Sequence, residues 1–217
     1  MAARRNPLLR RIEQFEGDLK RAEDLFKKLV LDGHTLSDAG NPVRLRQPDR
    51  RDAAQFIFFE VAAKFEAFVQ DLFMAEVRQT FCVLPARAEF IMGTPDRGLG
   101  GVMGWGSPSQ VKSRARNLFG ATGFFARIDA EVGETTYQHL TVAHKLRNRV
   151  AHDSGKARTE YRKALGTLRV PPKSRPGTSV GRVLIEYPHT APQDDRWFHR
   201  LLAAYRRVAT RARARLR

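Results

Sequence analysis

The stretch KLRNRVAHDSG, residues 145–155, places an arginine, an asparagine and a histidine within six positions of one another. Histidine titrates near neutral pH and can act as a general base or a general acid. Arginine carries a permanent positive charge and a planar fork of donors that fits a phosphate group. Cleavage of RNA through its own 2′-hydroxyl requires a base, an acid and a cation beside the phosphate. Arg147, Asn148 and His152 therefore form a candidate catalytic site.

The spacing of these three residues restricts how they can meet. On a regular α-helix Asn148 and His152, four residues apart, lie on the same side. Arg147 and His152 are separated by about 140° around the helix axis. They can meet if the arginine side chain wraps around, if the helix is irregular, or if Arg147 serves a second molecule. One chain supplies one histidine to the cluster, whereas a two-fold homodimer supplies two histidines and two arginines to a shared site.

Two simpler interpretations of the histidine stay open. His152 could be an ordinary residue at a helix end, where the negative end of the helix dipole favours its charged form. His144, Asn148 and His152 also repeat at intervals of four, as metal ligands on a helix can. No carboxylate or thiolate is in register with them, so we expect no metal and no other cofactor. His144 and Glu66 are then candidates for supporting the catalytic residues. Glu66 lies one residue off the apolar face of the 49–82 helix, so its simplest interpretation is a solvated side residue of that helix, with reaching an active site or ordering an arginine as the alternative.

Apolar periodicity predicts the helices that position the site. Residues 1–33 are typical of a heptad helix, capped by Asn6 and ended by Gly33, with apolar residues at alternating steps of four and three. This stripe favours a bundle contact, with a dimer contact as the alternative. Residues 49–155 are predicted to form the core, with helices at 49–82, at 108–119 and from about 135 into the motif.

The remaining segments are less regular. Residues 93–107 contain six glycines but no GK[ST] ending, which favours a surface loop over a phosphate-binding loop. Residues 156–193 are predicted to be an irregular insertion in which 182–187 pairs as a short strand. Residues 194–217 are predicted to form a basic C-terminal helix. The chain thus reads as a single all-α domain, 1–217, an up-down bundle of four to five helices.

Positive charge is concentrated in the second half of the chain. The net charge is 39 − 23 = +16, and residues 109–217 account for 23 − 8 = +15 of it. Such a field attracts polyanions, so RNA is the expected partner, with an acidic protein or a membrane surface as alternatives. For the last helix, simple packing on the bundle is a further alternative. The arginines expected to hold the RNA backbone are Arg149, Arg196, Arg200, Arg206, Arg207 and Arg211.

Cysteine content and hydropathy indicate the compartment. The single cysteine, Cys82, lies in an apolar helical pattern and is expected to be a small buried residue, with a reactive thiol as the alternative. Disulfide scaffolding is therefore excluded, and no apolar run approaches the ~20 residues that span a bilayer. The N-terminal residues lack the apolar stretch of a secretory signal. We expect a soluble, cytoplasmic protein that does not bind membranes.

The run RNRVAH at 147–152 resembles the Arg-polar-x3-His signature of HEPN domains, helical bundles common in prokaryotic toxins and defence systems. FFEVAAKFEAFVQDL at 58–72 resembles the long core helix of the RiboL-PSP-HEPN subgroup. The resemblance implies a homodimeric, metal-independent endoribonuclease with a composite cleft. In it Arg147 and His152 would be catalytic, and Asn148 would orient the histidine or nearby backbone.

Two hypotheses of function follow. In the first, the chain is a toxin or antiphage defence effector that cuts RNA such as tRNA or mRNA and is accompanied by an antitoxin or another defence-system protein. In the second, it is a non-catalytic helical module that binds RNA or an acidic protein, and the motif is a dimer contact. Some HEPN domains bind without cutting, so the resemblance admits both.

Overall fold

The computed structural model describes residues 6–37, 40–92, 105–188, 192 and 195–216, with the backbone alone for 89–92. The predicted all-α class is confirmed over these ranges. The helices are α1 Pro7–Phe26, α2 Gln47–Phe81, α3 Pro85–Met92, α4 Pro108–Phe119, α5 Ile128–Val132, α6 Glu134–Ala151, α7 Gly155–Thr167, α8 Val180–Glu186 and α9 Trp197–Arg215. A π-helical turn, Lys27–Leu31, extends α1, and 3-10 turns lie at Phe125–Arg127 and Pro172–Ser174.

Two short strands, β1 His34–Leu36 and β2 Pro42–Arg44, lie between α1 and α2. They pair antiparallel, with Thr35 opposite Val43. This small hairpin occupies the segment that turn-forming residues fill in the sequence, and it is the only sheet in the described part of the chain. It joins the first two helices.

The predicted ends of the first two helices are partly confirmed. The side chain of Asn6 accepts a hydrogen bond from Leu8 N at 3.0 Å, so Asn6 caps α1 as expected. α2 begins at Gln47, two residues before the predicted start at 49. Its cap is Arg46, whose backbone N donates to Asp49 Oδ2 at 3.3 Å. α2 ends where Cys82 adopts a left-handed conformation, φ 51°. Cys82 is exposed there, so the expectation of a buried cysteine is wrong.

α2 is the central helix of the bundle. It packs against α1, α6, α8 and α9, and its broad apolar face is buried as predicted. Stacked aromatic rings join these helices: Phe15 and Phe68 have centroids 4.4 Å apart, and Phe65 and Tyr205 have centroids 4.1 Å apart. Aromatic pairs of this kind add to the stabilisation from apolar burial. α6, which carries the motif, packs against both α2 and α9 and is held in this core.

The prediction of an irregular insertion at 156–193 is wrong for much of its length, since α7 and α8 lie within it. Serine caps start both helices. Ser154 Oγ accepts from Ala157 N, and Ser179 Oγ accepts from Arg182 N, each at 3.2 Å. The expected strand at 182–187 is instead helical as far as Glu186. The backbone N–H groups of Arg182 and Val183 donate to the side chain and the carbonyl of Ser179, and these bonds form the first turn of α8.

α8 lies directly on α2. A Cβ at Gly181 would be 2.6 Å from the carbonyl carbon of Arg51 and closer still to its oxygen, so only glycine fits at this crossing. Glu186 fastens the contact, accepting hydrogen bonds at 2.8 Å from Arg51 Nε and from Arg182 Nε. Within the described ranges, no helix is long and apolar enough to cross a bilayer. Most of the glycine-rich run, 93–104, lies outside the described residues.

Candidate functional site

The motif occupies the C-terminal end of α6. Leu140, Ala143 and Leu146 are buried and hold one side of the helix in the core. α6 ends at Ala151, and His152 leaves the helix with extended backbone angles, φ −137° and ψ 129°. Its backbone N–H still donates to Asn148 O at 3.0 Å, and its side chain is exposed. The angular separation of ~140° that a regular helix imposes on Arg147 and His152 therefore does not apply.

Arg147 is held by Glu66 of α2. Its Nη2 donates to Glu66 Oε2 at 2.8 Å, and the two side chains are only 22% and 19% exposed. Nη1 donates a longer hydrogen bond of 3.4 Å to Asn148 Oδ1, and the guanidinium carbon lies 5.8 Å from the centre of the Phe59 ring. Nε is buried and has no hydrogen-bond partner among the described residues. The guanidinium is thus fixed in direction before any ligand binds.

Glu66 is a largely covered carboxylate that is paired with Arg147. Burial raises the pKa of its carboxyl group above the ordinary value, and the charges of Arg147 and His152 offset that rise only in part. The sequence interpretation of Glu66 as a solvated side residue of α2 does not describe this position, whereas the alternative, that it orders an arginine, does.

The backbone at Gly106 covers Glu66. A Cβ on Gly106 would lie 3.0 Å from both Cγ and Cδ of Glu66 and closer to Oε1, so a larger residue would displace the carboxylate. Trp105 next to it packs edge-on against Phe73 of α2, with ring centroids 5.3 Å apart. Gly106 could not be predicted as a site residue, because six glycines stand in the same run and nothing in the sequence distinguishes one of them.

Asn148 and His144 form a second pair along α6. Asn148 Nδ2 and His144 Nε2 are 3.0 Å apart, which fits a neutral imidazole accepting from the amide. Burial, helped by the charges of Arg147 and Lys145, lowers the pKa of His144 to about 4. His144 is therefore uncharged at neutral pH. Within the described ranges, no group of three or more His, Cys, Asp or Glu residues is arranged to hold a metal ion.

Three of the predicted RNA-binding arginines are engaged within the chain. Arg196 donates through Nη1 to Ile185 O, and its Nε is buried. Arg200 Nη2 donates to Asp195 Oδ2 at 2.8 Å, and its guanidinium lies over the Trp197 ring. Arg206 binds both carboxylate oxygens of Glu23 at 2.8 and 2.9 Å. These side chains position α9, and RNA would have to compete with their present partners.

The other three predicted arginines are differently placed. Arg149 Nη1 donates to the exposed Asp153 at 3.0 Å. Arg207 and Arg211 are exposed on α9 and form no ion pair with any described residue. The structure thus brings Arg147, Asn148, His144, Glu66 and His152 to one end of α6. It does not gather the α9 arginines into that cluster.

Comparison of the chain with protein-family models, with curated proteins and with solved structures returned no match. The fold and the cluster define an all-α bundle with an ordered arginine near the end of a core helix and an exposed histidine where that helix ends.

Proposed function

We propose that this protein is a metal-independent endoribonuclease that cuts RNA through its 2′-hydroxyl, with Arg147 and His152 as catalytic residues. The observation that carries the proposal is that Glu66 already holds Arg147 in position, five residues before the exposed His152 at which α6 ends. Preorganised cations near a developing phosphate charge account for much of the rate enhancement in such reactions.

The reaction needs two proton transfers. One imidazole removes the proton from the 2′-hydroxyl as its oxygen attacks the phosphorus, and another gives a proton to the departing 5′-oxygen. The products are a 2′,3′-cyclic phosphate and a free 5′-hydroxyl. Each chain offers one exposed histidine at this end of α6, so we propose that the site is completed by a second copy of the chain around a two-fold axis.

The role of Arg147 follows from its remaining donors. A guanidinium has five N–H groups, of which the Glu66 and Asn148 contacts take one each. Of the three that remain, Nε–H is buried, which leaves one N–H on Nη1 and one on Nη2 for phosphate oxygens. Asn148 is proposed to hold the side chains of Arg147 and His144 in position through its hydrogen bonds to both. In keeping with the HEPN resemblance, a toxin or antiphage effector is the proposed biological setting, and an antitoxin or defence partner would restrain it.

The test is cleavage of a defined single-stranded RNA in EDTA by the purified chain. Wild-type protein should leave 2′,3′-cyclic phosphate ends, and His152→Ala should not cut. His34→Ala, a change at an exposed histidine on β1, is the matched control and should cut normally. Activity per chain should also fall on dilution to concentrations at which sedimentation shows a monomer. Undiminished cutting by His152→Ala would overturn the assignment.

A non-catalytic RNA-binding module is the second candidate. It is favoured by the ion pair itself, because Arg147 is largely covered and already has a carboxylate partner within its own chain. In that case the Arg147–Glu66 pair only stabilises the bundle, and the motif serves only as a dimer contact. Wild-type chain that binds RNA in EDTA and releases no cyclic phosphate would establish this second candidate.

A further inference from the structure

The arginines of α9 are largely neutralised by neighbouring helices. Besides the contacts of Arg200 and Arg206, Arg213 donates to Glu16 of α1 at 2.6 Å and Arg215 donates to Glu131 of α5 at 2.5 Å. Each pair cancels a charge that a phosphate would otherwise meet. Among the described arginines of α9 only Arg207 and Arg211 form no ion pair, so much of the net positive charge of the second half of the chain reaches solvent on other segments.

α7 and the turns after it carry that charge. Residues 155–175 contain seven bases and one acid, Glu160. The Glu160 carboxylate already forms ion pairs with Lys145 Nζ at 3.3 Å and with Lys163 Nζ at 3.0 Å. The exposed bases of this segment that form no ion pair with any described residue are Lys156, Arg162, Arg169 and Lys173. We call the exposed bases Lys156, Arg158, Arg162, Lys163 and Arg169 the α7 face.

The α7 face begins beside the candidate site. α7 starts at Gly155, three residues after His152, and packs against α6. Asp153 accepts from Arg149 of α6 at 3.0 Å and lies 3.8 Å from Arg158 Nε, so it stands between the two helices. Both partners of the longer contact are more than half exposed, and such pairs contribute little and yield readily to a phosphate. Arg158 and Arg162 then follow each other by one helical turn, ~6 Å.

The composition of the α7 face selects the class of partner. The apolar residues of α7, Ala157, Tyr161, Ala164 and Leu165, are all buried against the bundle. A membrane-binding helix needs exposed large apolar side chains, and a protein interface needs aromatic or aliphatic anchors. The α7 face offers neither, only bases with Thr159 and Gly166 between them. Such a surface fits a flexible chain of phosphates.

We propose that the α7 face is the surface that holds the RNA backbone and leads it to His152, in place of the α9 arginines. This inference rests on the proposed function for the destination of the RNA, but the binding it describes can be measured without cleavage. Lys156, Arg158 and Arg162 contact phosphates, and the strand runs from α7 across Asp153 to the end of α6.

The experiment measures binding of the 217-residue chain to a fluorescent single-stranded RNA with 2′-O-methyl groups, which cannot be cut by this route. Affinity is recorded over a series of KCl concentrations. Each phosphate contact on a single strand contributes about 0.7 to the slope of log affinity against log salt. Arg158→Gln/Arg162→Gln should therefore lower the magnitude of that slope by about 1.4 and weaken binding at low salt at least tenfold.

Two matched variants make the result decisive. Arg207→Gln/Arg211→Gln removes two exposed arginines with the same four-residue spacing from α9, and Lys27→Gln/Lys28→Gln removes two exposed lysines near the hairpin. Both should change the slope by less than half as much as the α7 variant. The inference is overturned if the α7 variant is no weaker than the Lys27/Lys28 control, or if the α9 variant carries the loss.

Other outcomes separate this inference from the proposed function. Tight, α7-dependent binding without any cleavage of ordinary RNA would refute the proposed nuclease activity and support the inference about the α7 face. Cleavage by a variant of the α7 face whose salt slope is unchanged would support the nuclease activity and refute the inference about the α7 face. If vesicles rich in phosphatidylserine, or polyglutamate, depend on the α7 face while the RNA does not, the partner class named here is wrong.

Discussion

Glu66 Oε2 of α2 accepts a hydrogen bond of 2.8 Å from Arg147 Nη2 of α6, joining two residues that are 81 positions apart in the chain. The pair fixes the direction of the guanidinium while most of its other donors stay unused. It also ties the end of α6, where His152 emerges, to the central helix. One ion pair thus connects the packing of the bundle with the geometry of the candidate site.

Removing Glu66 should cost both stability and cleavage. Glu66→Ala leaves a largely covered guanidinium without its counter-charge, so we expect a double-mutant cycle with Arg147→Ala to give a coupling of about 1–2 kcal/mol. Urea denaturation measures it. The exposed Glu23–Arg206 pair, in the same cycle, should give less than about 1 kcal/mol. Equal couplings for the two pairs would mean that burial adds nothing to the Glu66 contact.

Glu66→Ala also tests whether the Glu66 carboxylate positions Arg147 for catalysis. With Arg147 no longer oriented, Glu66→Ala should reduce the rate of RNA cleavage by about tenfold to a hundredfold. Glu66→Gln retains an acceptor oxygen for Nη2 and should recover part of that loss. The measurement is the initial rate of cyclic-phosphate formation under saturating RNA. If glutamine and alanine are equally impaired, the carboxylate acts through its charge and not through orientation.

Gly106→Ala should disturb the site while sparing the fold. The new methyl group would meet the carboxyl end of Glu66, a flexible side chain that can swing away from Arg147. We expect a several-fold loss of cleavage with a change in unfolding free energy of less than about 1 kcal/mol. Gly155→Ala, at a helical glycine near the site whose Cβ would meet nothing within 4 Å, is the control and should cut normally.

His144 should make stability depend on pH below neutrality. Its pKa is lowered to about 4 in the folded chain, from an ordinary value of 6.5, so the unfolded chain binds the proton more readily. The contribution is present above pH 6.5 and is lost as the pH falls toward 4. Wild type should lose up to about 2 kcal/mol more than His144→Gln between pH 7 and pH 5, measured by urea midpoints. His34→Gln should behave as wild type.

Gly181→Ala should be among the most damaging small substitutions. The added methyl would overlap the backbone of Arg51, which cannot move without shifting α2, so we expect a loss of about 1–3 kcal/mol or failure to fold. Gly17→Ala, in the middle of α1 with nothing within 4 Å of its Cβ, should instead stabilise by about 0.5–1 kcal/mol. Thermal unfolding compares the two. Tolerance of Gly181→Ala would show that α8 can lift from α2.

Much of the fold could be predicted from apolar spacing. The stripes of α1 and α2, and the start of α4 at Pro108 with its stop at Gly120, are local signals that the structure confirms. Residues 156–193 were misassigned, because the run of prolines and glycines at 169–181 outweighed the serine caps on either side of it. Ser154 and Ser179 each precede an apolar-periodic run, and giving them more weight would have predicted α7 and α8.

The site was predictable only in part. The motif residues were identifiable by type and spacing along one helix, but their partners come from elsewhere in the chain. Glu66 lies one position off the apolar face of α2, where most carboxylates face water, and only the packing of α2 against α6 turns it toward Arg147. Similarly, the sequence shows that α9 is rich in arginine but not that Glu16, Glu23 and Glu131 stand opposite.

The stacking of α9 on the bundle has a consequence for biosynthesis. Phe198 stacks on Phe26 at 3.8 Å and Tyr205 on Phe65 at 4.1 Å, so these two aromatic rings of α1 and α2 gain their cover only when the last described helix leaves the ribosome. Until then the nascent chain presents apolar faces to solvent and is prone to aggregation. α6 also lacks α9 as a packing partner during that interval, so the geometry at its end is complete only after α9 has been synthesised and has docked.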